Sequence, residues 1–215
     1  RKLEEVASTS ISNVVNQVAY PVLAEYQNDN VVMVRMLRKF ITSLAFLVFP
    51  LMMLLILVAE PVIVLVYSEK WIASVPYFQI LCIAGIAICL QMINFQAVAA
   101  IGRSDILFKW TIVKRSLGLI LNVGGLVCFG MYGLLFGGVL TAYTLYFINS
   151  YLVSKYVGYR IKAQLRDLFP IIITTLLSFI ITYLLSYIVM LDICLKGLCL
   201  VIIFAITWPG STRPP

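Results

Sequence analysis

The sequence predicts an all-α fold, a polytopic transmembrane helical bundle of about five to six spans. Three observations predict it. The chain is 62% apolar and 12% charged, with a mean hydropathy of +1.03, whereas a soluble domain carries about 25% charged residues. Its apolar runs are continuous and of the length, about 20 residues, that a helix needs to cross a bilayer. A barrel would instead show alternating segments of about ten residues. Finally, the basic residues alternate along the ladder. Counted by connection they run 3 (Arg35, Arg38, Lys39), 1 (Lys70), 4 (Arg103, Lys109, Lys114, Arg115), 0, 4 (Lys155, Arg160, Lys162, Arg166) and 1 (Lys196). This is the positive-inside pattern, and it sets orientation as well as class.

The elements follow in order. Residues 6–24 carry Ser8, Ser12, Asn16 and Ala19 at helical spacing opposite Val14, Val15, Val18 and Val22. They predict a helix with one polar stripe, which Pro21 should end or kink. Residues 25–40 read as a polar turn and a basic amphipathic helix. Span one covers roughly 41–59 and Glu60-Pro61 ends its regular pattern, with Tyr67 and Trp71 suited to the interface belt. Span two runs 76–99 from Pro76, a residue that fits a helix's first turn. Span three runs 107–129, a tight turn covers Gly130 to Gly133, and span four runs 132–153. Span five covers 168–190, with Asp167 and Pro170 at its start, and a short sixth element follows. The organisation is then a polar-striped and basic cytoplasmic segment (1–40), a transmembrane lobe (41–208) and a non-native or truncated tail (209–215). The start at Arg1 and the break at Trp208-Pro209 both read as cut ends of a longer protein.

Composition excludes several functions. The net charge of +7 is spread over short connections and forms no continuous basic face, so nucleic acid is not the expected partner. A cytoplasmic surface beside anionic lipid fits better. No histidine occurs, which removes the commonest general base and metal ligand. Cys82, Cys89, Cys128, Cys194 and Cys199 include no CxxC pair and read as small buried hydrophobes. Neither GxxxxGK[ST], GxSxG nor HExxH is present. No catalytic residue, metal site or cofactor is expected.

Lys114 and Arg115 are the sharpest candidates. They fall about seven residues into span three, ~10 Å along a helix. One reading is a cationic patch for an anionic substrate, since a charge at that depth is costly unless it faces a cavity. The other is that the span begins near Ser116 and both residues snorkel to the interface. Lys114, Gly118 and Asn122 share a helix face with Gly125 close by, and span two offers Gln91 and Asn94, with Gln96 nearby. These line a substrate path or make interhelical hydrogen bonds. In span four, Gly133, Gly137 and Thr141 form a small-residue packing ridge. Tyr143, Tyr146 and Asn149 make a separate polar stripe that either stacks on sugar or marks the helix end. Ser178, Thr182 and Ser186 repeat the small-polar pattern. Glu60 either binds a coupling cation or marks a helix end.

The order of these punctuation residues resembles the Wzx-type polysaccharide flippases of the multidrug/oligosaccharidyl-lipid/polysaccharide exporter superfamily. The resemblance rests on Tyr20-Pro21 before Gln27-Asn28-Asp29, then Phe49-Pro50 and Ala59-Glu60-Pro61-Val62-Ile63. Lys70-Trp71, Val75-Pro76-Tyr77-Phe78 and Ala100-Ile101-Gly102-Arg103-Ser104-Asp105 follow. Lys109, Tyr132-Gly133, Gly158-Tyr159, Gln164-Leu165 and Pro170 complete the series. It covers about residues 6–172 and corresponds to the family's C-terminal half. Ser68-Glu69 departs from the family, which often has glycine before Lys-Trp.

The resemblance implies one lobe of a two-lobe transporter in the bacterial inner membrane, partnered by the bilayer and by the missing N-terminal lobe. Its substrate would be an undecaprenyl-diphosphate-linked oligosaccharide, the repeat unit of O-antigen, lipopolysaccharide, capsule or exopolysaccharide, flipped by alternating access. Lys114 and Arg115 would attract the diphosphate, and Asn122, Gln91, Asn94 and Tyr146 would line the path. A multidrug/cation antiporter of the same superfamily is the alternative. A membrane-embedded glycan polymerase or ligase would call for a large periplasmic loop, and no loop here exceeds about fifteen residues. A purely structural membrane subunit is the remaining alternative.

Overall fold

This computed structural model describes residues 18–189 and 193–207. Residues 6–17 of the polar-striped segment and the tail 209–215 lie outside the described residues. Every regular element among the described residues is helical. A short helical stretch covers 18–25 and runs through Pro21 rather than ending there.

After a turn, α1 (Asn30–Leu57) begins at Asp29, whose Oδ1 accepts from the Val31 and Val32 amides at 3.0 and 3.1 Å and so satisfies two of the donors a helix start leaves open. The basic helix and span one are therefore one element. Its buried residues, Met33, Leu37, Ile41, Leu44, Ala45, Val48, Phe49 and Met52, recur every three or four positions, one face of a helix. Pro50 sits inside α1 without ending it. Gln79 donates to the Ile56 carbonyl at 3.1 Å, closing a carbonyl at the helix end.

The break after span one falls at Val58, not at Glu60-Pro61. Both of those residues open α2 (Ala59–Tyr67), where a proline's missing N–H has no partner to lose. Ser68 then adopts φ 77, ψ 167, a backbone region that is essentially glycine's and costs another residue about 1–3 kcal/mol. It turns the chain into a 3₁₀ segment, Glu69–Ser74, and then α3 (Val75–Ala100) with Pro76 in its first turn. Ser68→Gly is expected to raise the stability of the detergent-purified protein by about 1 kcal/mol. Thermal unfolding of the two proteins side by side measures this, and an unchanged or lowered midpoint would refute strain at this residue.

Gly102 (φ 72) turns the chain into α4 (Ser104–Tyr156), which reverses at Gly130 (φ 63, ψ −143). The two arms run antiparallel. A Cβ on Gly118 would lie 3.1 Å from Thr141 Cγ2, one on Gly137 would lie 2.6 Å from the Leu121 carbonyl oxygen, and Gly125 and Gly133 meet backbone to backbone. The ridge at Gly133, Gly137 and Thr141 thus packs on a second ridge, Gly118 and Gly125, of the preceding arm. Each arm has about 26 residues, ~39 Å of helix, enough to cross a bilayer core of about 30 Å.

Past Gly158 (φ 93), α5 (Ile161–Val189) begins well before the expected start near 168. Lys162, Arg166 and Pro170 all lie on it. α6 (Ile193–Thr207) closes the described chain and packs against α5 and α1. The layers run hairpin α4, then α3, then α1, then α5 and α6. Of the cysteines expected to be buried, Cys82 and Cys89 are buried within α3, Cys199 is half-buried and Cys128 is exposed on the apolar face of α4.

Four helices among the described residues are long and apolar enough to cross a membrane, the folded α4 counting as one. Their outward faces are apolar too: Leu119, Val127, Phe129 and Phe136 on α4 and Phe169, Ile180 and Tyr183 on α5 are exposed. In water such a surface drives association. In lipid it is the expected outer face of a bundle whose backbone bonds are closed within its helices.

Candidate functional site

A cleft of about 530 Å³ lies between α3 and the two arms of α4. The glycine ridge brings the arms together at their tip, and α3 runs along the hairpin from Tyr77, beside Tyr132 near the tip, to Asn94, bonded to Ser150 near the open end. Gln91, Met92 and Phe95 come from α3, Thr111, Lys114, Arg115 and Asn122 from the first arm, and Thr141, Leu145 and Asn149 from the second. No aspartate or glutamate is among its lining residues.

Lys114 is the centre of the cleft. It is 8% exposed, its Nζ donates to Asn149 Oδ1, and it lies 5.6 Å from the centre of the Phe95 ring. Ammonium over an aromatic face is an attractive arrangement. Asn149 Nδ2 donates to the Gln91 carbonyl at 3.4 Å, so its oxygen is the end turned to the lysine. Arg115 is exposed at the rim. The helix start at Ser104 puts Lys114 ten residues in, ~15 Å of helix. Its partner Asn149 lies six residues before Lys155, ~9 Å from that end of the hairpin. From Ser116 to Gly130 the arm is ~21 Å, short of a ~30 Å bilayer core. Lys114 is turned into the cleft, while Arg115 stands exposed at its rim.

Four of the six residues expected on the path, Gln91, Lys114, Arg115 and Asn122, line this cleft together. Asn122 Nδ2 is turned to the Gly118 carbonyl at 2.7 Å. The other two are placed elsewhere. Asn94 is fully buried on the flank of α3 beside the cleft, where its Nδ2 donates to Ser150 Oγ at 3.1 Å and Gln164 Oε1 at 3.4 Å. Tyr146 is 4% exposed, and its hydroxyl has no hydrogen-bond partner among the described residues. Spacing alone paired Asn94 with Gln91, and three residues on a helix do leave only about 60° between side chains; the cleft takes the Gln91–Phe95 side of α3, and Asn94, about 100° from Phe95, falls on the flank that packs into the core. Glu60 is exposed in the first turn of α2 and does not line the cleft.

The sequence missed Phe95 and Thr111, and read Asn149 as part of a tyrosine stripe. Pairing the arms in the register of Gly125 with Gly133 and Gly118 with Thr141 brings Lys114 level with Thr144 and Leu145, about a turn short of Asn149, so spacing carried no signal for Asn149; the long lysine side chain reaches it.

Asn94 belongs to a polar chain that ties the layers at the basic end. Ser150 donates to Gln164 Oε1 at 3.0 Å, and Gln164 Nε2 donates to the Tyr159 carbonyl at 3.3 Å. The Tyr159 hydroxyl donates to Asp167 Oδ2 at 2.5 Å, and Arg38 pairs with Asp167 Oδ1. Burial, and then the neighbouring Asp167 carboxylate, push the Tyr159 phenol well above its ordinary value, so it remains a donor. Arg38 and Asp167 belong to two of the basic segments in the charge alternation, and the structure brings them to one end of the bundle.

An apolar-faced helical bundle with a cationic cleft defines the class: a multi-pass helical membrane protein. Comparison with known proteins narrows it. Residues 1–76 match the family described as polysaccharide biosynthesis protein. The chain is 35% identical over 100 residues to the teichuronic acid biosynthesis protein TuaB of Bacillus subtilis (strain 168), across 46% of this chain and 21% of that protein. It is 26% identical over 112 residues to the lipopolysaccharide biosynthesis protein WzxC of Escherichia coli (strain K12), across 52% of this chain and 23% of that protein. It is 32% identical over 77 residues to an uncharacterized membrane protein in the cps region of Klebsiella pneumoniae, across 36% and 16%. The matched stretches span about a fifth of these relatives' length. No solved structure matches the chain at a significant level. Together these matches support a polysaccharide-related, multi-pass membrane protein, and the relatives' sources fit the bacterial inner (cell) membrane.

Proposed function

We propose that this chain is the C-terminal lobe of a transporter that flips a lipid-linked oligosaccharide across the bacterial inner membrane. One observation carries the reading: two cations, Lys114 and Arg115, share a membrane cleft whose lining holds no carboxylate. Such a site attracts an anion, and the diphosphate of an undecaprenyl-diphosphate-linked sugar is an anion that must cross this membrane. The same composition weighs against a cation antiporter, which needs acids where this cleft has bases. Transport would proceed by alternating access, with this lobe rocking against its N-terminal counterpart around the cleft. Gln91 and Asn122 supply hydrogen-bonding groups on the same wall. Asn94 and Tyr146, assigned to the path on sequence, would support it from behind.

Complementation tests this. The full-length parent protein, expressed in a bacterium lacking its own polysaccharide flippase, should restore surface glycan. Lys114→Ala combined with Arg115→Ala should reduce that glycan by roughly 10-fold or more, the scale of losing buried charged contacts. Undiminished glycan in the double variant, with the protein present in the membrane, would refute the cationic site.

A further inference from the structure

The cleft contains a decision about charge that Lys114 does not make alone. A buried ammonium normally has a carboxylate partner, because an unpaired charge away from water is expensive. Here the partner is an amide. Asn149, 3% exposed, accepts from Lys114 Nζ through Oδ1 while its Nδ2 is tied to the Gln91 carbonyl at 3.4 Å. The amide cannot turn round without losing both bonds. The second contact of the ammonium is the Phe95 ring at 5.6 Å, which is also neutral. The lysine is thus held in place by two residues of the cleft wall and neutralised by neither of them. Aspartate has almost the same size and shape as asparagine, and at this position it would make the same bond and cancel the charge.

We infer that Asn149 is the charge-selectivity residue of the cleft: it positions the Lys114 ammonium for a diphosphate ligand while leaving its positive charge uncompensated. The inference rests on the transport reading above and deepens it, because it names the residue that sets the sign of the site. It also accounts for why a polar residue is buried on the second arm where the Lys114 ammonium reaches it. A residue needed for packing alone would be apolar there, and a residue needed for lysine's stability alone would be acidic.

The test uses the full-length protein in phosphatidylcholine nanodiscs, with inorganic pyrophosphate as the probe and binding measured by calorimetry over a series of salt concentrations. Asn149→Asp should weaken pyrophosphate binding roughly 10-fold or more and flatten its salt dependence, since one uncompensated charge is gone. Asn149→Gln keeps a neutral acceptor and should lose far less, about 3-fold, with the salt dependence unchanged. Equal losses in the two variants, or equal salt slopes, would mean that the residue serves geometry and not charge, and would overturn the inference. Gln91→Glu delivers a carboxylate to the same wall from α3. If Asn149→Asp gives no folded protein, this variant decides the matter, and undiminished pyrophosphate affinity in it would overturn the inference. Failure of the unaltered protein to bind pyrophosphate at all would overturn the transport reading itself, an outcome distinct from the variant results. Repeating the titration with polyprenyl diphosphate in the nanodisc separates the two sources of the anion. Competition assigns the site to a lipid headgroup, and its absence, with pyrophosphate still bound, assigns it to a soluble diphosphate.

Discussion

Gly133→Ala should prevent the α4 hairpin from closing, and with it the folding of the whole lobe. The methyl group of alanine would overlap the Gly125 carbonyl on the facing arm, and a Cβ on Gly125 would likewise overlap the Gly133 carbonyl. Both obstacles are backbone, so no side chain can swing aside. Overpacking a core costs about 1–3 kcal/mol when neighbours can adjust. Here the arms themselves must separate, so the cost should exceed that, a large share of the ~5–15 kcal/mol that holds a typical protein together. Two glycines of the same hairpin are controls. A Cβ on Gly124 meets nothing within 4 Å, and one on Gly138 comes no closer than 3.6 Å to Asn122 Oδ1. Gly124→Ala and Gly138→Ala should be neutral or stabilising by up to about 1 kcal/mol, since alanine is the better helix former. Size-exclusion chromatography of heated detergent extracts separates the cases. A monodisperse Gly133→Ala protein melting with the parent would mean that the arms do not meet as closely as this.

The second large effect is expected at Asp167. Its side chain is 8% exposed and serves two partners on different elements, Arg38 of α1 and Tyr159 of the α4–α5 connection. Asp167→Ala strands them unequally. The Arg38 side chain is 48% exposed and can return to water, so its pair contributes at most about 1 kcal/mol. Tyr159 is 3% exposed, and a buried hydroxyl left without an acceptor costs about 1–3 kcal/mol. The expected total is about 2–4 kcal/mol. Asp167→Asn retains an acceptor for Tyr159 and should lose about 1 kcal/mol. Tyr159→Phe removes the stranded donor, so Asp167→Ala should cost much less on that background. Urea or thermal unfolding of the four proteins gives the cycle. Additive losses would show that Asp167 acts without Tyr159.

The long elements were legible because their signals are local. Apolar runs of membrane length, the alternation of basic residues, and the glycines at 102, 130 and 158 each report on a few neighbouring residues. Gly130 is the clearest case, a single glycine at φ 63 between two apolar runs. Helix starts were less legible. Nothing in 161–167 separates a basic connection from the charged first turns of a helix, and α5 turned out to include them. At Glu60-Pro61 the residues suggested an end, while their tolerance in a helix's first turn made them a beginning.

The cleft divides along the same line. Lys114, Gly118 and Asn122 follow from an interval of four on one helix, which is geometry that the chain carries with it. Asn149, Phe95 and the separation of Gln91 from Asn94 depend on how helices face each other. Hydrophobicity, charge and backbone freedom within one stretch of chain were enough for the class of protein, for its turns, and for two adjacent cations inside an apolar segment. The partner of Lys114, the absence of an acid beside it and the burial of Asn94 on the core flank of α3 were decided by the tertiary structure alone. They are set by the register of the α4 hairpin, and that register is fixed by the close approach of Gly125 and Gly133, a contact between two residues without side chains.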